Sequence, residues 1–112
     1  MIHQDSRIRF MRLLVFFDLP VETAAQRRDY RLFRKALIKD GYIMVQESVY
    51  SKLVVNEHVV ESALSRLREI APPKGIVQVL KVTERQYSSM ETVTGTPLQH
   101  DEIDVRDEVI VL

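Results

Sequence analysis

The chain has no cysteine and no tryptophan, and only three glycines, four prolines and three histidines in 112 residues. Each scarcity excludes something. Without cysteine there is no disulfide framework, thiolate zinc site, iron–sulfur cluster or thiol nucleophile, and the composition fits a reducing compartment. Three glycines leave little for a loop that cradles nucleotide phosphates, and neither a Ser-His-Asp order nor an HExxH helix occurs. His3, His58 and His100 lack metal-ligand spacing and read as surface residues. No apolar run approaches the roughly 20 residues that span a bilayer. The stretch Leu13 to Phe17 is too short for a signal sequence core, and Met1 to Arg7 has no secretory pattern. The expectation is a cytoplasmic protein without membrane contact.

Apolar residues make up 46% and charged residues 29%, an ordinary globular balance. The length suggests one domain with a modest core, a size at which dimerisation often adds stability. The net charge is zero, yet residues 1–83 hold 14 basic against 9 acidic residues (+5), and residues 84–112 hold 2 against 7 (−5). A basic body with an acidic tail fits a body that meets an anion and a tail that meets something else, or a chance partition of a mixed surface.

The run Arg12-Leu13-Leu14-Val15-Phe16-Phe17-Asp18 reads as a central strand buried on both faces, ended by Leu19-Pro20. Thr23 and Gln26 have capping-box spacing, so a helix over about 24–39 follows, with Tyr30, Phe33 and Leu37 on its core face and Asp40-Gly41 as its stop. Residues 42–55 are β-like with a weak break near Ser51, either two antiparallel strands or one long bulged strand. Asn56 caps a second amphipathic helix, Ile76 to Val82 is the next strand, Glu84 to Met90 a helical turn, and Val109 to Leu112 a last short strand. The expected organisation is an N-terminal extension over 1–8, a domain over 9–90, and a polar loop with terminal strand over 91–112. The order β-α-β-β-α-β is the α+β ferredoxin-like arrangement, a four-stranded antiparallel sheet with two helices on one face. The bare sheet face needs a cover, which points to a second copy of the chain.

Three groups of residues carry the candidate chemistry. Asp18 ends the central strand, where a carboxylate can serve a magnesium ion that keeps most of its waters; two copies brought together would repel unless a cation or proton sat between them. It can equally cap the following turn. Arg27, Arg31, Arg34, Lys35 and Lys39, flanked by Arg28, form a basic helix face suited to phosphate oxygens. Only Asp29 and Asp40 oppose these six cations within residues 23–40, which favours phosphate over a self-neutralised face. Gln46, Ser48 and Tyr50 alternate along one strand face, as contacts to nucleic-acid backbone or to a partner protomer.

Asp18 after an apolar strand, Gln46-Glu47-Ser48-Val49-Tyr50 and the ferredoxin-like order together resemble the smaller of the two core CRISPR adaptation proteins, the CRISPR-associated endonuclease two family. Pro73-Lys74-Gly75 and Val82 to Tyr87 are similar to members from type II systems, and the resemblance spans residues 9–112. The family's basic residue before the glutamine motif is replaced here by Met44-Val45. The resemblance implies a homodimer whose terminal strand packs on the partner's sheet. It also implies Asp18 as a catalytic, magnesium-linked acid in an endonuclease acting on RNA or duplex DNA. Arg27, Arg28 and Arg31 would be duplex-backbone contacts, and the CRISPR integrase subunit a partner in spacer acquisition, with the small protein mainly a scaffold. VapD-like ribonucleases are a more distant match. A small-molecule regulatory module on the same fold would need a glycine-rich loop after the first strand, where Asp18-Leu19-Pro20-Val21-Glu22 has none.

Overall fold

A computed structural model of the chain describes residues 10–97. The N-terminal extension, His3, His100 and the terminal strand over 109–112 lie outside the described residues. The elements in order are β1 (Met11–Asp18), α1 (Ala24–Lys39), β2 (Ile43–Gln46), β3 (Val49–Val54), α2 (Glu57–Ile70), β4 (Ile76–Thr83) and α3 (Glu84–Ser88). The four strands form one sheet in the order β2-β3-β1-β4, with every neighbouring pair antiparallel. This is the ferredoxin-like α+β architecture.

β1 lies at the centre because both its faces are apolar. Leu13, Val15 and Phe17 point to the helices and are almost fully buried with Phe33 and Leu37 of α1 and Val60, Ala63 and Leu67 of α2. Phe17 sits in an aromatic nest, with the Phe33 ring edge-on at 5.1 Å and Tyr30 and Tyr50 at 5.9 and 5.7 Å. Both helix starts are capped as their sequences dictate. Thr23 and Gln26 exchange side-chain to backbone hydrogen bonds, and Asn56 Oδ1 accepts from the Val59 amide at 2.8 Å. A cap of this kind contributes about 1 kcal/mol.

The β2–β3 hairpin corrects one expectation. The chain reverses at Glu47-Ser48, before Val49, and not near Ser51. Ser51 is wholly buried inside β3 opposite Leu14. Its hydroxyl accepts a hydrogen bond from Arg12 Nη1 at 3.3 Å, so a small polar residue there completes a buried contact and does not break the strand.

Leu14, Phe16 and Asp18 alternate onto the face of β1 that carries no layer of long helices. Their neighbours across the register are Leu80, Gln78 and Ile76 of β4, and Ser51 and Val49 of β3. Phe16, Leu53, Ile76 and Leu80 are 37%, 46%, 58% and 52% exposed, so this face leaves several large apolar side chains open, with Gln78 between Ile76 and Leu80. At one end of this face α3 is clamped down by Arg12. Its guanidinium donates to both Glu84 carboxylate oxygens, at 2.8 and 3.2 Å, and lies 4.4 Å from the Tyr87 ring centroid.

Candidate functional site

Asp18 is the last residue of β1 and is exposed at the rim of the open face. Leu19 behind it is buried in the core, and Pro20 turns the chain away. Its backbone is held from the other side by Gly75, at the start of the register pairing of Asp18 with Ile76. Gly75 has φ +91°, and a Cβ there would lie 2.6 Å from the Asp18 carbonyl oxygen and 3.0 Å from Leu19. Among the described residues no hydrogen bond or ion pair engages the Asp18 carboxylate, so nothing there supports the reading in which it caps the following turn. We expect Gly75→Ala to destabilise the fold by at least about 1–2 kcal/mol, the cost of a left-handed non-glycine residue, with the amide resonances of Asp18 and Leu19 shifting most; chemical denaturation and NMR check this.

Whether this position suits a divalent cation is a question of donors. The described residues contain no group of three or more His, Cys, Asp or Glu that could hold a metal. One chain therefore contributes one carboxylate. Such a donor set can serve only a hard divalent cation that keeps most of its waters, as magnesium does when one or two carboxylates hold it and water and substrate phosphate complete its shell. His58, exposed at the start of α2, takes no part.

The basic residues of α1 do not all act as a single row. Arg34 is drawn inward, and its Nε donates to the Tyr50 hydroxyl at 2.8 Å, a contact that raises the guanidinium pKa further. Arg27 folds back along its own loop, donating from Nη1 to the carbonyls of Val21 and Glu22, both at 3.1 Å. Arg28, Arg31, Lys35 and Lys39 are exposed on the side of α1 away from Phe33 and Leu37, and among the described residues none of them has a carboxylate partner. These four are the free cations of the helix.

The structure separates Gln46, Ser48 and Tyr50, which the alternation had placed on one face. The Glu47-Ser48 turn reverses the chain between them. Gln46 is exposed at the end of β2, Ser48 lies in the turn with its carbonyl accepting from the Phe17 amide, and Tyr50 is completely buried on the helix side. The Tyr50 hydroxyl is occupied by Arg34 and reaches Met44 Sδ at 3.5 Å, so it positions a cation and presents no surface. Arg12 and its Glu84 clasp were missed from sequence; the available signal was a lone arginine, two residues before Leu14, on the open face of an otherwise apolar strand.

The residues just described fall inside a single match. A family model described as CRISPR associated protein Cas2 matches residues 11–90. The chain belongs to the Cas2 family. The matched span begins at the first residue of β1 and closes just after α3, so it contains Asp18, the α1 cations, Gly75 and the Arg12–Glu84 clasp. Similar proteins include one from Treponema denticola, 53% identical over 85 residues that cover 76% of this chain and 84% of that one. Others come from Ligilactobacillus salivarius, 46% identical with 80% and 88% covered, and Streptococcus mutans, 45% identical with 76% and 78% covered. Each of the three bears the name CRISPR-associated endoribonuclease Cas2. Membership gives the chain a CRISPR-associated role. Among the described residues no helix is long and apolar enough to cross a membrane.

Proposed function

We propose that this Cas2-family protein acts in CRISPR adaptation as a homodimeric scaffold that binds duplex DNA alongside the integrase subunit. The observation that carries the reading is the placement of two opposite surfaces on one thin domain. The open sheet face is apolar, with Phe16, Leu53, Ile76 and Leu80 exposed. The outward side of α1 carries four cations without carboxylate partners among the described residues. Pairing two copies through their sheets covers the first surface and turns both copies of the second outward, where a long polyanion can lie across them. Arginine and lysine heads on a helix meet phosphate oxygens without reading base edges, so the binding is expected to be indifferent to sequence.

The salt dependence of duplex binding tests this. Replacing Arg28, Arg31 and Lys35 with glutamine should reduce the slope of log affinity against log salt by about 0.9 per lost phosphate contact, nearly 3 in all if each makes one. An unchanged slope in the triple variant assigns the phosphates to other residues.

A second reading rests on Asp18. Its exposed carboxylate and the endoribonuclease name of the relatives support magnesium-dependent cleavage of RNA or duplex DNA. In the paired arrangement Asp18 from each copy would hold the ion, which supplies Lewis acidity and an activated water. The chain's own contribution is positional. Pro20 and Gly75 fix the strand end on which the carboxylate stands, and the α1 cations hold the phosphodiester backbone. No described residue near Asp18 presents itself as a general base, so turnover is expected to be slow.

A further inference from the structure

The charge asymmetry of the chain leaves its acidic end without a counterpart in either reading. The run Asp101-Glu102-Ile103-Asp104-Val105-Arg106-Asp107-Glu108 carries five carboxylates against one guanidinium, with Ile103 and Val105 between them. It lies outside the described residues. The surface of the described residues contains its inverse.

That inverse is the outer face of α1. Arg28, Arg31, Lys35 and Lys39 stand exposed there, without carboxylate partners among the described residues. Two large aliphatic side chains stand among them, Leu32 at 48% and Ile38 at 55% exposure. Each lies three residues from Lys35 and is its neighbour on the helix surface. A phosphate backbone engages the cations and gains nothing from the aliphatics. A peptide that carries carboxylates with aliphatic residues between them engages both.

The described chain also ends beside this face. Thr94 to Pro97 and Met44 to Glu47 of the sheet edge line one open cleft of about 480 Å³. The Tyr50 hydroxyl reaches Met44 Sδ at 3.5 Å and accepts from Arg34 Nε at 2.8 Å, so the exit lies on the flank of α1 where Arg34 stands. Arg31 and Ile38 are three and four residues from Arg34, the next positions round the helix. The stretch from 98 to 108 extends to roughly 36–40 Å, and α1 is about 24 Å long. A segment joined to its site acts at a local concentration on the order of millimolar, which populates contacts too weak to hold two separate molecules.

We propose that residues 101–108 of this chain dock along the outer face of α1, their carboxylates on Arg28, Arg31, Lys35 and Lys39, and Ile103 and Val105 against Leu32 and Ile38. The docked segment would compete with duplex for the same cations, a consequence that rests on the reading of α1 as the duplex-binding face. A face covered about nine-tenths of the time leaves about one molecule in ten open, which weakens apparent duplex affinity about tenfold.

The contact is tested without DNA, on the full chain with a nitroxide at Val109→Cys, just beyond the acidic run. NMR should show broadening of the Leu32, Lys35 and Ile38 amides in the labelled molecule. Replacing Asp101, Asp104 and Asp107 with asparagine and Glu102 and Glu108 with glutamine should abolish it, and Leu32→Ser with Ile38→Ser should reduce it. Without the nitroxide, the five tail substitutions should tighten duplex binding about tenfold at low salt, a gap that narrows as salt screens both contacts. Absence of broadening, or broadening that survives both sets of substitutions, overturns the proposal. Broadening of an isotope-labelled chain by a nitroxide on a different chain assigns the contact to a second copy and overturns it too. Docking that responds to both sets of substitutions, with duplex affinity unmoved by the tail, upholds the docking and refutes α1 as the duplex-binding face.

Discussion

If two copies pair through their sheets as proposed, Leu80→Arg is expected to turn that dimer into a monomer of unchanged fold. Leu80 is about half exposed in the single chain, so its replacement removes little from the core and should alter the stability of the monomer by no more than about 0.5 kcal/mol. Within the chain the same side chain stands opposite Leu14 in the β1–β4 register, on the apolar face that the proposed pairing covers. A guanidinium placed there must be desolvated against Phe16, Ile76 and their counterparts without a partner charge, and unpaired buried charges cost several kcal/mol. The dimer dissociation constant should rise at least a hundredfold, which corresponds to about 2.7 kcal/mol. Sedimentation equilibrium reads the mass, and circular dichroism confirms the fold. A variant that still dimerises as tightly as the wild type would move the interface off the open face.

Asp18→Asn should abolish magnesium-dependent RNA cleavage while leaving folding, dimer mass and duplex binding in place. Asparagine keeps the shape of the side chain and removes its charge. Loss of even an outer-shell metal partner costs roughly 10–100-fold, so losing the one carboxylate that each chain supplies should cost at least the upper end of that range. The same substitution should have an opposite effect on association when the metal is chelated. Two ionised carboxylates facing each other repel, and the asparagine variant lacks that repulsion, so in chelator it should dimerise more tightly than the wild type. Cleavage that survives in Asp18→Asn belongs to other residues. Equal dimer stability of the two proteins in chelator would place the two Asp18 side chains far apart.

The fold was legible because its signals were periodic or chemically strict. The two-sided apolar run of β1 forced a central strand, and the Thr23–Gln26 and Asn56 caps located both long helices. The hairpin was less so, because residues 42–55 are β-formers throughout and a two-residue turn at Glu47-Ser48 uses neither glycine nor proline. Placing the break near Ser51 also put Gln46, Ser48 and Tyr50 on one face, and the turn undoes that grouping. Asp18 could be placed from sequence, since Pro20 ends the strand wherever the strand lies. The fates of the α1 arginines could not. Helical spacing puts Arg27, Arg31 and Arg34 in a row, but which of them stays free depends on contacts distant in sequence: Tyr50 for Arg34, and the carbonyls of the β1–α1 loop for Arg27. The Arg12–Glu84 clasp joins residues 72 apart, a pairing that no local pattern announces.

The central claim, sheet-to-sheet pairing with α1 turned outward, is tested most directly by one distance across the dimer. The chain has no cysteine of its own, so Lys35→Cys provides a single site for a nitroxide on the exposed side of α1. With sheets about 10 Å apart and a helix layer about 10 Å thick outside each, the two labels should lie roughly 40 Å apart. A pulsed electron paramagnetic resonance distribution centred there agrees with the open face as the interface and both basic helices as the outer surfaces. A distance below roughly 20 Å, the spacing of labels on two helices packed directly against each other, would contradict it.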